Sequence, residues 1–445
     1  MSTTARSEVT YRPFRWFVLA TLFIVTATSA LSLISPAPLI GAIFTSQFAD
    51  PTAIPEVLPE GVLSLGQIAW MTMGWFNFAV AIAALAGGFF VDKLGFVKIY
   101  VIGLALIVIG WLLVGVIGDT YTGMMVIRTI QGLGTGPIMA STAAVAATRF
   151  PSRERGYVAA TQGAAMAAGI GLGQAFMPKV LSAQGGDWQA ALVALWPVAA
   201  IALVMTIVVA VGPKQDVIVV QNDAAEQLAA KNALRKALAQ PVTWAAIGCV
   251  VVLSWVFQAF NDLSPSYLTI APPTGVGFEN GSTLLGIAQI FNFLGAFAAG
   301  FATQRFFQGR VRPGIMLGFA MGAIFGLAML LPAATSSSTL MLVIVCTAAF
   351  FFAWVNPNAI GYIAQNYPAN ITGKLGGYAM GIGIFGGTAG VAAGSAALHA
   401  TGHYTLSIII MAGVCALGIP VAYFLKQPKN VSQGATAAEP AASAR

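Results

Sequence analysis

Apolar residues in this chain run in long unbroken blocks, separated by short polar punctuation. Neither the alternation of a half-buried strand nor the one-sided stripe of a soluble helix organises them. Twelve blocks stand out, near residues 16–43, 67–90, 99–117, 122–148, 156–181, 189–212, 242–264, 281–304, 313–332, 339–366, 375–398 and 404–425. Most approach or exceed the ~20 residues a helix needs to cross a bilayer. An outer-membrane barrel would alternate apolar and polar positions, which these runs do not. The pattern predicts an all-α membrane protein with twelve transmembrane helices, here called spans one to twelve.

Composition agrees. Hydrophobic residues make up 58% of the chain and charged residues 8%, against roughly 25% charged in a soluble protein. Mean hydropathy is +0.83. A soluble enzyme, a disordered chain and a disulfide scaffold are excluded. Cys249, Cys346 and Cys415 all lie inside apolar runs and read as small core residues. Arg12 and Arg15 precede the first run, but that run is too long for a signal peptide and reads as a retained span.

The net charge of +7 could suggest a nucleic-acid partner, but its distribution argues otherwise. With the N-terminus in the cytoplasm, every Lys and Arg except Arg128 and Lys179 falls on the cytoplasmic side. That asymmetry is the positive-inside rule. It predicts an inner-membrane protein with both termini cytoplasmic and the bilayer as its partner, not nucleic acid.

The longest polar stretch, 213–241, carries a short charged helix near 222–239 and divides the chain. Expected domains are a cytoplasmic N-terminus (1–15), a six-helix bundle (16–212), the linker (213–241), a second bundle (242–425) and a cytoplasmic disordered tail (426–445). The bundles echo each other. Arg149-Phe150-Pro151 then Gly156 recurs as Asn366-Tyr367-Pro368 then Gly373, and the same shift carries Gly169 and Gly173 onto Gly386 and Gly390. Two parallel repeats predict a cavity between halves related by a pseudo-twofold axis.

Two motifs carry a family resemblance. Gly88-x-x-x-Asp92-Lys93-x-Gly95, followed by Lys98, resembles the loop between helices two and three of the major facilitator superfamily. Arg128-x-x-Gln131-Gly132-x-Gly134-x-Gly136 resembles that superfamily's helix-four motif. With the six-plus-six repeat, the resemblance covers roughly 15–425. It implies a secondary transporter working by alternating access. It further implies that Gly88, Asp92, Lys93, Gly95 and Lys98 form a conformational latch, and that Arg128 serves proton coupling or anion binding.

The residues support such roles independently. Arg128 lies about two turns inside span four, where an ionised side chain needs a partner or a cavity. Its expected counter-charge is Asp262. Ser254, Gln258, Asn261 and Asp262 share one face of span seven, matched in span one by Thr28, Ser32 and Ser35 ahead of Pro36 and Pro38. Back-bonding to the preceding turn is the plain alternative for such hydroxyls. In span ten, Pro357 between Asn356 and Asn358 should break the helix and free a carbonyl. Gln289 and Asn292 of span eight extend the polar surface. Glycine ladders in spans five and eleven suggest surfaces on which the halves rock.

Arg128, Gln131, Asp262, Gln258, Asn261, Asn356 and Asn358 are therefore the candidate substrate and coupling residues. No Walker loop, catalytic triad or zinc motif occurs in the sequence. No enzymatic activity, cofactor or metal is expected. His399 and His403 read as interfacial. One intramembrane arginine without a second clamp fits a small monoanion or a neutral or amphipathic solute, with a small organic monoanion such as a monocarboxylate expected first, moved with protons by a monomer. Alternatives are a proton-driven exporter of lipophilic solutes, a nitrate/nitrite-type porter, and an assembly factor or sensor on the same scaffold.

Overall fold

A computed structural model of the protein describes residues 13–50, 55, 58–151, 154–213, 224–367 and 369–426. Helices account for the spans, and no strand occurs among the described residues. Span one is Arg15–Ile34, a short 3-10 turn Ala37–Leu39, and Ile40–Thr45. Span two runs Leu65–Ala69, a π-helical turn Trp70–Gly74, then Trp75–Leu94. Spans three to six are Phe96–Ile117, Tyr121–Ala140 with Thr142–Arg149, Arg155–Ala183, and Trp188–Val193 with Trp196–Val211. Spans seven to nine are Pro241–Thr269, Phe278–Arg305 and Val311–Ala328. Spans ten to twelve are Ser338–Phe352 with Val355–Asn366, Ala369–Thr401 and Tyr404–Tyr423. The linker helix is Ala224–Leu238.

Among the described residues, eleven segments are long and apolar enough to cross a membrane. The segment left out is span four, where Arg128, Gln131 and a run of glycines dilute the apolar content. Span three shows how lipid shapes these helices. It exposes Ile102, Ile109, Leu112 and Val116 while burying Gly103, Gly110 and Trp111. Large apolar groups thus face outward as well as inward, as expected where lipid replaces water, while the buried glycines let neighbouring helices come close.

The chain falls into two compact units, Met1–Ile43 with Met71–Gln221, and Phe44–Trp70 with Asn222–Arg445. The segment 44–70 joins the second unit because Gly66 lets the start of span two lie against the Ser395 carbonyl and His399. There Ser64 caps its helix and lies 2.7 Å from His399 Nδ1.

Within the first unit, span one packs on five and six, two on four, and three on four and six. Within the second, seven packs on eleven and twelve, eight on ten, and nine on ten and twelve. The pairs correspond one to one, so the internal repeat holds in packing as well as in sequence. Spans four and ten are also broken at equivalent points, at Ser141 and at Ala353-Trp354. Each break follows from a local feature. Ser141 turns its hydroxyl back to the Ile138 carbonyl at 2.6 Å, and Pro357 sits in the first turn of the helix that restarts at Val355.

The glycine ladders act within a unit. A Cβ at Gly169 would strike the carbonyl of Ala27, and one at Gly173 the Ile34 side chain. At Gly386 and Gly390 it would strike the carbonyls of Val251 and Trp255. These described glycines therefore join span five to one and span eleven to seven. At these four positions the glycines bind each half together.

Candidate functional site

The site around Arg128 starts from two backbone irregularities. Pro36 has no N–H, so the Ser32 carbonyl loses its usual helical donor and span one stops at Ile34. In span two, the π turn Trp70–Gly74 widens the ladder around Thr72, a type of bulge that recurs at functional sites. Arg128 reaches both. Its Nη1 donates to the Ser32 carbonyl at 2.7 Å and its Nη2 to the Leu33 carbonyl at 2.8 Å. Its Nε donates to the Thr72 carbonyl. Nη1 also donates to Gln131 Oε1 at 2.8 Å. The guanidinium lies 4.1 Å from the centre of the Phe76 ring, a cation–π contact that gains strength away from water.

These bonds engage every nitrogen of a guanidinium that carries five N–H groups in all. The side chain is 1% exposed. The Arg128–Gln131 bond was not anticipated, and its geometry depends on span three. A Cβ at Gly110 would overlap the Gln131 side chain, so only glycine there leaves the amide its place. Gly132 and Gly136 sit against Ala79 and Ala83 of span two, and Gly134 against the Gly103 carbonyl of span three. The helix-four motif thus wedges span four between its neighbours and holds Arg128 at a fixed depth.

The hydroxyls of span one divide. Thr28 donates to the Ile24 carbonyl at 2.8 Å and Ser29 to the Val25 carbonyl at 3.0 Å, the plain back-bonding alternative. Ser32 and Ser35, both fully buried, leave their hydroxyl oxygens without a protein partner.

The second unit carries the other polar group. Asp262 is 0% exposed, and Gln258 Nε2 donates to both its oxygens at 2.9 and 3.0 Å. Asn261 accepts from Gln289 Nε2 at 2.7 Å and donates to the Phe257 carbonyl at 2.8 Å. Spans seven and eight thus join through the amides of Asn261 and Gln289. Asn358 takes a hydrogen bond from Thr303 at 2.7 Å and donates to the Trp354 carbonyl at 2.8 Å. It ties the break in span ten to span eight. Asn356 is half-buried and its Oδ1 makes no hydrogen bond. Asn292 donates to the Ala349 carbonyl at 3.2 Å.

In the loop between spans two and three, Gly95 alone joins the two helices with φ at +76°. That left-handed backbone is where glycine is favoured. Lys93 and Lys98 are exposed. Gly88 and Asp92 lie in the helix Trp75–Leu94, but their surroundings, including the Asp92 side chain, fall outside what is described. Nearby, Arg149 lies 5.5 Å from the centre of the Phe96 ring. Sequence reasoning missed the ion pair that joins span one to the start of span five. Arg15 Nε and Nη2 hold the two Glu154 oxygens at 3.0 and 3.2 Å. The available signal was a lone acid, Glu154, between Arg153 and Arg155.

The sequence matches the Major Facilitator Superfamily over residues 17–334 and again over 268–444. The chain belongs to that superfamily and is a transporter, not an enzyme. Among solved structures it is similar to one described as the crystal structure of a D-xylose-proton symporter. The TM-score is 0.70 at 17% identity, covering 93% of this chain and 98% of that one. At that identity the likeness speaks to the fold. No curated protein matches the sequence.

Proposed function

We propose that the protein is a proton-coupled secondary transporter of a small solute in the cell inner membrane, with both termini cytoplasmic. In this reading Arg128 and Asp262 are each coupling residues, and the loop Gly88–Lys98 acts as the latch. The observation that carries it is a fully buried arginine at membrane depth, fixed by protein oxygens from three helices. A charge so expensive to bury is retained for work that a neutral residue cannot do.

The same geometry bears on the cargo. A monoanion requires Arg128 to lend its planar fork to a carboxylate. With Nε, Nη1 and Nη2 already donating to protein, a small neutral polar solute is the better-supported cargo. Similarity to a protein described as a D-xylose-proton symporter points the same way. A monocarboxylate is the second reading, favoured by the single intramembrane arginine. It would have to replace the Ser32 and Leu33 carbonyls.

A thermal-shift screen of the purified protein against pentoses, hexoses, monocarboxylates and lipophilic cations tests this choice, because a ligand that binds the folded state raises the melting temperature. Stabilisation by neutral sugars or polyols supports the first reading. Stabilisation by monocarboxylates alone, lost in Arg128→Lys, would replace it with the second.

A further inference from the structure

Beside Arg128, residues of spans one, three, four and six line a small, partly open cavity of about 10 Å³, among them Ser35, Trp111, Val114, Ile127, Arg128 and Gln131. Its polar groups have a definite inventory. Ser35 is 0% exposed and Trp111 is 1% exposed, and neither Ser35 Oγ nor Trp111 Nε1 bonds to protein. Gln131 has committed its carbonyl oxygen to Arg128, so its NH2 is what it can offer a guest. A buried polar group left without a partner is destabilising, and two that line one pocket call for a shared partner.

We propose that this cavity is a binding site for a single water molecule, which completes the Arg128 node. The size fits, since one water needs roughly 10–15 Å³. The chemistry fits as well. A water oxygen accepts two hydrogen bonds, here from Trp111 Nε1–H and the Gln131 amide, and donates one to Ser35 Oγ. Trp111 and Ser35 are then positioning residues. Through the water they hold the Gln131 amide so that its oxygen faces Arg128. A dry packing gap would leave Ser35 Oγ and Trp111 Nε1 both unbonded.

The proposal rests on the Proposed function only for its link to coupling; the water site itself stands on the cavity. The test uses the full-length protein in lipid nanodiscs with tryptophan labelled at the indole nitrogen. Trp111→Phe assigns the Trp111 indole resonance. That resonance should show a cross-peak to water and should shift in Ser35→Ala. Phenylglyoxal labelling of Arg128, read by peptide mass spectrometry, should rise several-fold in Trp111→Phe and in Ser35→Ala. An indole proton with no water contact, unmoved by Ser35→Ala, would overturn the site. A water contact with unchanged Arg128 labelling would overturn the positioning role. Neither result bears on whether the protein couples solute to protons, which is measured separately by uptake.

Discussion

The Nη1 atom of Arg128 lies 2.7 Å from the carbonyl oxygen of Ser32, four residues ahead of Pro36. The arginine therefore supplies, from another helix, the donor that the proline withholds. Two features that are unfavourable alone, a broken helix and a buried cation, compensate each other. A change in how span one bends at Pro36 must alter the cage around Arg128, and a change at Arg128 must be felt at the bend.

Arg128→Lys should not restore this arrangement. An ammonium has three donors and no planar fork, so it cannot serve acceptors on spans one, two and four together. Leaving one or more carbonyls unbonded should cost at least about 1–3 kcal/mol. The measurement is the melting temperature of the purified protein, which should fall for Arg128→Lys and further for Arg128→Ala. Wild-type stability in both variants would contradict the cage.

Gly110→Ala is expected to act on Arg128 without touching it. The added methyl overlaps the Gln131 side chain and should cost about 1–3 kcal/mol as overpacking. In a double-mutant cycle, Gln131→Ala should relieve the clash, so the two losses should fall short of adding. Additive losses in melting temperature would place the strain elsewhere.

The glycine ladders give a paired expectation. Gly169→Ala and Gly386→Ala drive a methyl into a neighbouring carbonyl and should each destabilise by about 1–3 kcal/mol. Gly163→Ala and Gly377→Ala meet nothing within 4 Å and should be neutral, or stabilising by up to about 1 kcal/mol from helix propensity. Melting temperatures of the four variants decide it.

Much of the architecture was legible because lipid imposes a strict rule. A spanning helix must be long, apolar and internally bonded, so the runs of apolar residues located the spans and the repeat paired them. Arg128 and Gln131 were legible because charge and amide are rare at that depth. The acceptors of Arg128 were not, since they are backbone carbonyls of Ser32, Leu33 and Thr72, and every residue has one. The π turn at Trp70–Gly74 likewise has no side-chain signature. Asn358 shows the opposite failure. Its position beside Pro357 suggested a cavity group, yet its amide is spent on Thr303 and the Trp354 carbonyl.

The orientation proposed from the charge asymmetry is directly testable. Ser336 and Gln308 are both exposed, in the loops after spans nine and eight. A cysteine at Ser336 should react with an impermeant maleimide added outside intact cells, and one at Gln308 should react only after permeabilisation. The reverse pattern would invert the assignment of both termini.

The most direct test of the account is proton-driven uptake by the reconstituted protein. Proteoliposomes are loaded with a pH dye, and a solute identified by the thermal-shift screen is added with and without an inward proton gradient. Wild type should accumulate the solute above equilibrium only with the gradient, and should acidify the lumen as it does so. Arg128→Ala, present and folded, should lose accumulation. Equal uptake with and without the gradient, or undiminished accumulation by Arg128→Ala, would contradict the claim that the buried arginine couples solute movement to protons.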